Sequence, residues 1–386
     1  FNAIWSHEET GNSVTYERDL RVKAWARSTG VVWHEHRQFG VIRALKSRDG
    51  WAAKWNQFMA QSVCPTPKLI SPVRHLQSEG LRPSSFFDLN GPTTVQQQAG
   101  GSDAAKGVLR SFLTQRGENY QIELSSPLTA ENSCSRLSTH LAYGTISMRT
   151  VSQAVARQKQ ALRNRLNGNN SKRWFSSLRS FHERLHWHCH FIQKLESQPD
   201  IEWNNIARSF DVLRTEFDTE LFERWCEGYT GYPMVDACMR FLRAGGWLNF
   251  RMRAMVVSFA SYHLWLDWRP TSRYLATQFL DYEPGIHYSQ MQMQSGTTGM
   301  NSVRIYSPIK QASDHDPHGV FIKKWLPELA GVPSEHIAQP HKMAHDEQCK
   351  YGCIIGKDYP LPAVDHSEAV KHAKQEIYRV RRSPQA

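Results

Sequence analysis

Two rhythms of hydrophobic and polar positions divide this chain. Near the start, Ala3-Ile4-Trp5-Ser6 reads as a strand and His7 to Asn12 as a polar turn. Thr15 to Arg27 then follows a helical period, and Val31-Val32-Trp33 reads as the next strand. Strand, helix, strand is the order of a parallel α/β layer, and two parallel strands cannot cover both their faces alone. Residues 1–45 are therefore expected to be the back part of an α/β domain whose front part lies outside this sequence. Residues 46–107 have weaker periodicity and many breakers: Pro65, Pro67, Pro72 and Pro83, then Gln96-Gln97-Gln98 and Gly100-Gly101. They predict an interdomain linker, ordered in part by Trp51, Trp55 and Phe58 on one helical face.

From residue 108 onward the pattern is helical almost throughout, which predicts an all-α domain over 108–386. Ser180-Phe-His-Glu183 has the capping-box form and predicts the start of an aromatic-rich helix, His182 to Leu195. Pro233 marks another helix start and Gly245-Gly246 its end, with a second apolar helix running to Leu266. Asp365-His-Ser-Glu368 predicts a cap for a basic C-terminal helix through Arg382. The most apolar run, Ala254 to Leu266, is too short to span a bilayer, so no membrane partner is expected.

Composition narrows the partners. With 47 Lys+Arg against 36 Asp+Glu the chain carries +11, which suits a polyanion such as nucleic acid. Seven scattered cysteines argue against a disulfide framework and for a reducing, cytoplasmic setting. Cys349 and Cys353 lack further ligands at matching spacing, so neither zinc nor an iron–sulfur cluster is expected there. His182, His186 and His190 recur every four residues on one helical face, but a single helix cannot close a tetrahedral site. They are expected to bond within an aromatic core or line a cleft, with no metal.

Other residues stand out chemically. Ser135-Arg136-Leu137-Ser138 places small hydroxyls beside an Arg at a helix start, which is either an ordinary cap or a phosphate cradle. Arg253 and Asp281 are charges in apolar surroundings, and each needs a partner. Thirteen tryptophans is a high count, and most are expected to serve core or surface packing, with Trp187 the exception.

Gly228-Tyr-Thr-Gly-Tyr-Pro-Met-Val-Asp-Ala-Cys-Met-Arg240, Gly246-Trp-Leu-Asn-Phe-Arg-Met-Arg253, Asp267-Trp-Arg269 and Trp325-Leu-Pro-Glu-Leu329 bring these features together. Their order and spacing resemble the flavin-binding domain of the photolyase/cryptochrome family. The resemblance implies a fold in which a partial Rossmann-like, antenna-type α/β domain precedes a large all-α domain holding a bent FAD. It implies that Ser135, Arg136, Leu137 and Ser138, followed by Leu141-Ala-Tyr-Gly144, hold the FAD phosphates with Tyr120 nearby. Arg253, Asp281, Glu283 and His287 would face the flavin. Trp187 would stack on an extruded lesion, with Glu183, Arg184, Phe250 and Met293 around it, and Arg251 and Arg304 would meet DNA phosphates. Trp268 matches the middle member of the family's electron-carrying tryptophans.

The departures from the family pattern fall on function. Met291 and Thr215 stand where the inner and outer tryptophans of that relay should be, and Met293 is nearest the place of a second lesion-clamping Trp. Phe250 replaces an Asn, Arg184 a Glu, and His188 an Arg. Trp268, Trp265, Trp247, Tyr262 or Tyr288 would have to supply another electron route. The expected function is light-driven splitting of cyclobutane pyrimidine dimers in DNA by a monomer, with altered lesion geometry or a preference for single strands. The alternatives are a blue-light receptor on the same fold and a basic nucleic-acid-binding module without cofactor. A folate or deazaflavin antenna would lie near the Glu8-Glu9-Thr-Gly-Asn12 turn.

Overall fold

The computed structural model describes residues 2–71, 80, 82–87, 97–165, 169–300 and 302–383; Pro72 and Gln96 of the linker lie outside the described residues. Strands Ala3–His7 (β1) and Val32–His36 (β2) pair in parallel, from Ala3 against Val32 to His7 against His36. The crossover helix is Ser13–Thr29 (α1). Asn12 caps it by accepting from the Thr15 N–H, and Gly30 ends it in the left-handed conformation that only glycine adopts without cost. Only Ala26 of α1 is buried, and Trp5, Tyr16, Leu20 and Val32 remain exposed. Arg43 knits this layer together, pairing with Asp19 and Glu35 and donating to the Glu9 carbonyl.

The helical body begins earlier than residue 108. Helix Trp51–Ala60 (α2) buries Trp51, Trp55, Phe58 and Met59 in the same apolar cluster as Phe112, Tyr120, Val151, Leu178 and Ile192. Next come Ser102–Thr114 (α3), Tyr120–Glu123 (α4), Pro127–Ser133 (α5), Ser138–Ala142 (α6), Met148–Arg165 (α7) and Asn169–Ser197 (α8). A second cluster, around Trp225, Val235, Met239, Met252 and Trp268, is built from Thr219–Glu227 (α9), Pro233–Gly245 (α10), Phe250–Ser258 (α11) and Trp268–Gln278 (α12). Pro284–Ser295 (α13), Pro308–His315 (α14), Val320–Trp325 (α15), His345–Lys350 (α16) and His366–Arg381 (α17) complete the body. Asp365 caps α17 by accepting from the Glu368 N–H. Helix α13 packs directly on α8. Their backbones approach so closely that a Cβ on Gly285 would collide with the Ile192 backbone.

Two helices differ from expectation. Ser180 does not open a helix, because α8 is already under way from Asn169. The buried stripe Leu178, Phe181, Leu185, Cys189 and Ile192 runs through that position, so packing overrides the capping signal. The apolar helix does not continue to Leu266 either. Residues Phe259–His263 form a π turn, in which the Leu264 N–H bonds the Phe259 carbonyl at 3.1 Å. Buried Arg214 donates to the Ser261 carbonyl of this turn at 2.8 Å and to the Ser295 carbonyl at the end of α13 at 3.0 Å, tying the two together. Among the described residues no helix is long and apolar enough to cross a membrane.

Candidate active site

A cavity of about 300 Å³ lies where α8, α11 and α13 meet the segment Tyr120–Ser138. At its floor Arg253, in the first turn of α11, donates from Nη2 to both oxygens of Asp281 at 3.0 and 2.9 Å. Its Nε donates to the Leu248 carbonyl at 2.6 Å, and its guanidinium covers the Phe279 ring at 4.0 Å. The Asp281 side chain is only 4% exposed, so this carboxylate survives in the interior through that pairing.

Two imidazoles share the wall. His287 Nε2 donates to the Ser272 carbonyl at 2.9 Å, and burial pushes its pKa down to about 4. Burial does the same to His188, with Asp281 opposing. Both rings are neutral at physiological pH. The Glu283 carboxyl moves the other way, up to about 7, through burial with the Glu9 charge adding to it. Glu9 belongs to the turn after β1, so the small sheet bears electrostatically on this wall.

Above the Arg253 pair, Arg136 occupies a left-handed backbone conformation with φ 59°. Gln98 holds that turn by donating to the Arg136 carbonyl at 2.7 Å, and Ser135 Oγ accepts from the Leu137 N–H at 3.3 Å. The Arg136 guanidinium lies over the Trp247 ring at 4.0 Å, and burial lowers its pKa, with Glu131 and Asp281 opposing. Tyr120 is buried nearby, which raises its phenol well above the ordinary value, while Arg184 pulls the other way.

At the mouth the character changes. Trp187 on α8 is 47% exposed and Phe250 at the start of α11 is 46% exposed. Arg184, also exposed on α8, lies 5.5 Å over the Phe250 ring. The mouth thus presents two aromatic faces and one cation to solvent.

The structure brings Tyr120, Ser135, Arg136, Ser138, Arg184, Trp187, Phe250, Arg253, Asp281, Glu283 and His287 into this one cavity. Leu137 is buried in the apolar cluster behind the turn, and Glu183 is exposed outside the lining. Arg251 lies over Tyr306 at 5.6 Å, Arg304 is on the surface, and Met293 lies off the lining with Gln290 and Met291 in its place. Trp268 is buried, donates to Asn205 Oδ1 at 2.7 Å and lines a separate cavity of about 60 Å³ with Trp203 and Tyr288. His182 and His186 pack against Trp55, at 5.8 and 3.7 Å between centroids, and among the described residues no His/Cys/Asp/Glu cluster suits a metal. Asn249 precedes α11, where local sequence offers it no role beyond an N-cap, yet it makes no side-chain cap bond. Its side chain instead donates to the Leu124 and Ser125 carbonyls at 3.1 and 2.9 Å.

Residues 181–379 match the family described as the FAD binding domain of DNA photolyase. The deoxyribodipyrimidine photo-lyase of Escherichia coli is 31% identical over 347 residues, which cover 88% of this chain and 67% of that protein. The chain belongs to the photolyase/cryptochrome family. Deoxyribodipyrimidine photo-lyase of Alkalihalophilus pseudofirmus is 31% identical over 275 residues, 71% of this chain and 54% of the relative. This family member therefore spans between about half and two thirds of those relatives. The fold is shared with a cryptochrome of Synechocystis sp. PCC6803, at a TM-score of 0.83 and 22% identity over 97% of this chain and 79% of that one.

The chain thus carries the family's FAD-binding domain. The cavity suits such a cofactor on physical grounds. Arg136 Nη1 and Asn249 Oδ1, both on lining residues, are buried without any hydrogen-bond partner. Buried polar atoms rarely stay unpaired, so a donor and an acceptor here await a polar ligand.

Proposed function

We propose that this chain is a light-driven DNA repair flavoprotein that splits cyclobutane pyrimidine dimers. When bound and reduced, FAD supplies an excited-state electron donor; everything else is the work of the chain. Ser135, Arg136 and Ser138 hold the diphosphate, on a turn that Leu137 anchors in the core and Tyr120 flanks. Arg253, braced by Asp281, sets a fixed positive charge against the ring and favours its reduced, anionic form. His287 stays neutral and Glu283 keeps its proton up to about pH 7, so neither adds charge to the wall. Trp187 and Phe250 stack on the extruded bases, Arg184 donates to their carbonyl oxygens, and Arg251 and Arg304 meet flanking phosphates. Trp268, with Tyr288 at 6.5 Å, serves electron supply from the surface.

The observation that carries this reading is the pair of exposed aromatics at the mouth of a cavity that holds the paired Arg253 and Asp281 and leaves the buried Arg136 Nη1 without a partner. Purified, reduced protein illuminated with blue light is expected to restore thymine absorbance to UV-irradiated oligothymidylate. We expect a faster rate on single strands than on duplex. Flavin-loaded protein that leaves dimers intact on both substrates would sink the proposal. The shared fold with a cryptochrome favours one rival, a photoreceptor. A long-lived light-induced change in FAD absorbance without dimer loss would mark that outcome, and a colourless protein that takes up no FAD would mark a plain nucleic-acid-binding module.

A further inference from the structure

We propose that the nucleic-acid surface extends past the cavity mouth to Arg48 and Lys194, which take backbone phosphates of the strand beside an extruded base. This rests on the nucleic-acid reading above. Trp187, His190 and Lys194 follow one another at helical spacing, so α8 carries them on one face, with Lys194 about 10 Å beyond the Trp187 plate. Arg48 comes from the segment before α2 and reaches the same face, where Nη2 donates to the His190 carbonyl at 2.8 Å. The His190 ring lies 5.9 Å from Trp187 and 6.1 Å from Trp51, between the aromatic plate and the two cations.

The charges there are uncompensated. Among the described residues neither Arg48 nor Lys194 meets a carboxylate within ion-pair distance. The neighbouring acids are engaged elsewhere: Asp49 accepts from Ser47, and Glu196 accepts from the Ala44 N–H. Burial lowers the pKa of Lys194, and the Arg48 charge lowers it further. Two cations therefore converge with no acid between them, beside an exposed indole. A polyanion relieves that repulsion, and a strand whose base stacks on Trp187 brings phosphates along the same helix face.

The test is the salt dependence of binding to fluorescein-labelled, unirradiated oligothymidylate, read by anisotropy. Arg48→Gln and Lys194→Gln are each expected to reduce the slope of log affinity against log salt by roughly 0.7, the single-strand value per contact. Arg48→Lys should keep the slope, and FAD absorbance and melting temperature should stay unchanged in Lys194→Gln. Slopes identical to that of the unsubstituted protein in both Gln variants would overturn this inference alone. Failure of the unsubstituted protein to bind any strand would overturn the functional reading and this inference with it.

Discussion

At the floor of the cavity the Asp281 side chain is 4% exposed and takes two hydrogen bonds from Arg253; at the mouth Trp187 and Phe250 are nearly half exposed. The floor has its charges desolvated and paired before any ligand arrives. The mouth leaves apolar rings in water, at a cost recovered only when something stacks on them. Fixed charge below and unfilled aromatic surface above suit a resident group held permanently and a second ligand taken up transiently.

This contrast can be broken from either side. Arg253→Ala would strand the buried Asp281 carboxylate, and we expect a loss of about 3–5 kcal/mol in chemical denaturation together with failure to retain FAD. Trp187→Ala should leave folding within about 0.5 kcal/mol. It should weaken single-strand binding by roughly 1–3 kcal/mol, measured by anisotropy. A variant in which folding and FAD retention suffer instead would erase the distinction between floor and mouth.

Acidification probes the wall between floor and mouth, on top of the loss expected from partly buried His182 and buried His263 elsewhere. The pKa of His287 and of His188 is held near 4 in the folded protein against an ordinary 6.5, so the unfolded chain binds more protons in that window. Stability from these rings is present above pH 6.5 and is lost as pH falls towards 4. Glu283, raised to about 7 from 4.5, opposes them, since its folded form binds the extra proton between those values. These three groups together contribute a net loss of roughly 1–2 kcal/mol between pH 7 and 5, to which His182 and His263 add, and Glu283→Gln should steepen the fall in denaturant midpoint. The smallest effect belongs to Arg184→Ala, whose contact with Phe250 is worth about 0.5–1 kcal/mol at an exposed site. A thermal shift under a few degrees, with weaker binding of the strand, is the expected result.

Much of this architecture was legible in residue order. Pro233 and Gly246 bound α10 as their chemistry demands, and the need of Arg253 and Asp281 for partners is met by one another. What was hidden depended on contacts between distant segments. The prolines after residue 60 suggested a loose linker, yet Trp51, Trp55 and Phe58 sit in a core that only the later helices complete. The π turn at Phe259–His263 lies in a uniformly apolar run, where no polar position reports a change of pitch. At the mouth, the neighbourhood of Arg184 and Phe250 comes from α8 meeting α11, which local spacing cannot encode.

Gly285 has a reach beyond its own turn. Because α13 rests there on bare backbone of α8, the gap between the helix bearing His287 and the helix bearing Trp187 is gauged to the absence of one methyl group. An alanine at that point would act as a shim, tilting the helix of His287 away from the helix of Trp187 without touching either side chain. The spacing of the two cavity walls is thereby entrusted to an atom that is not there.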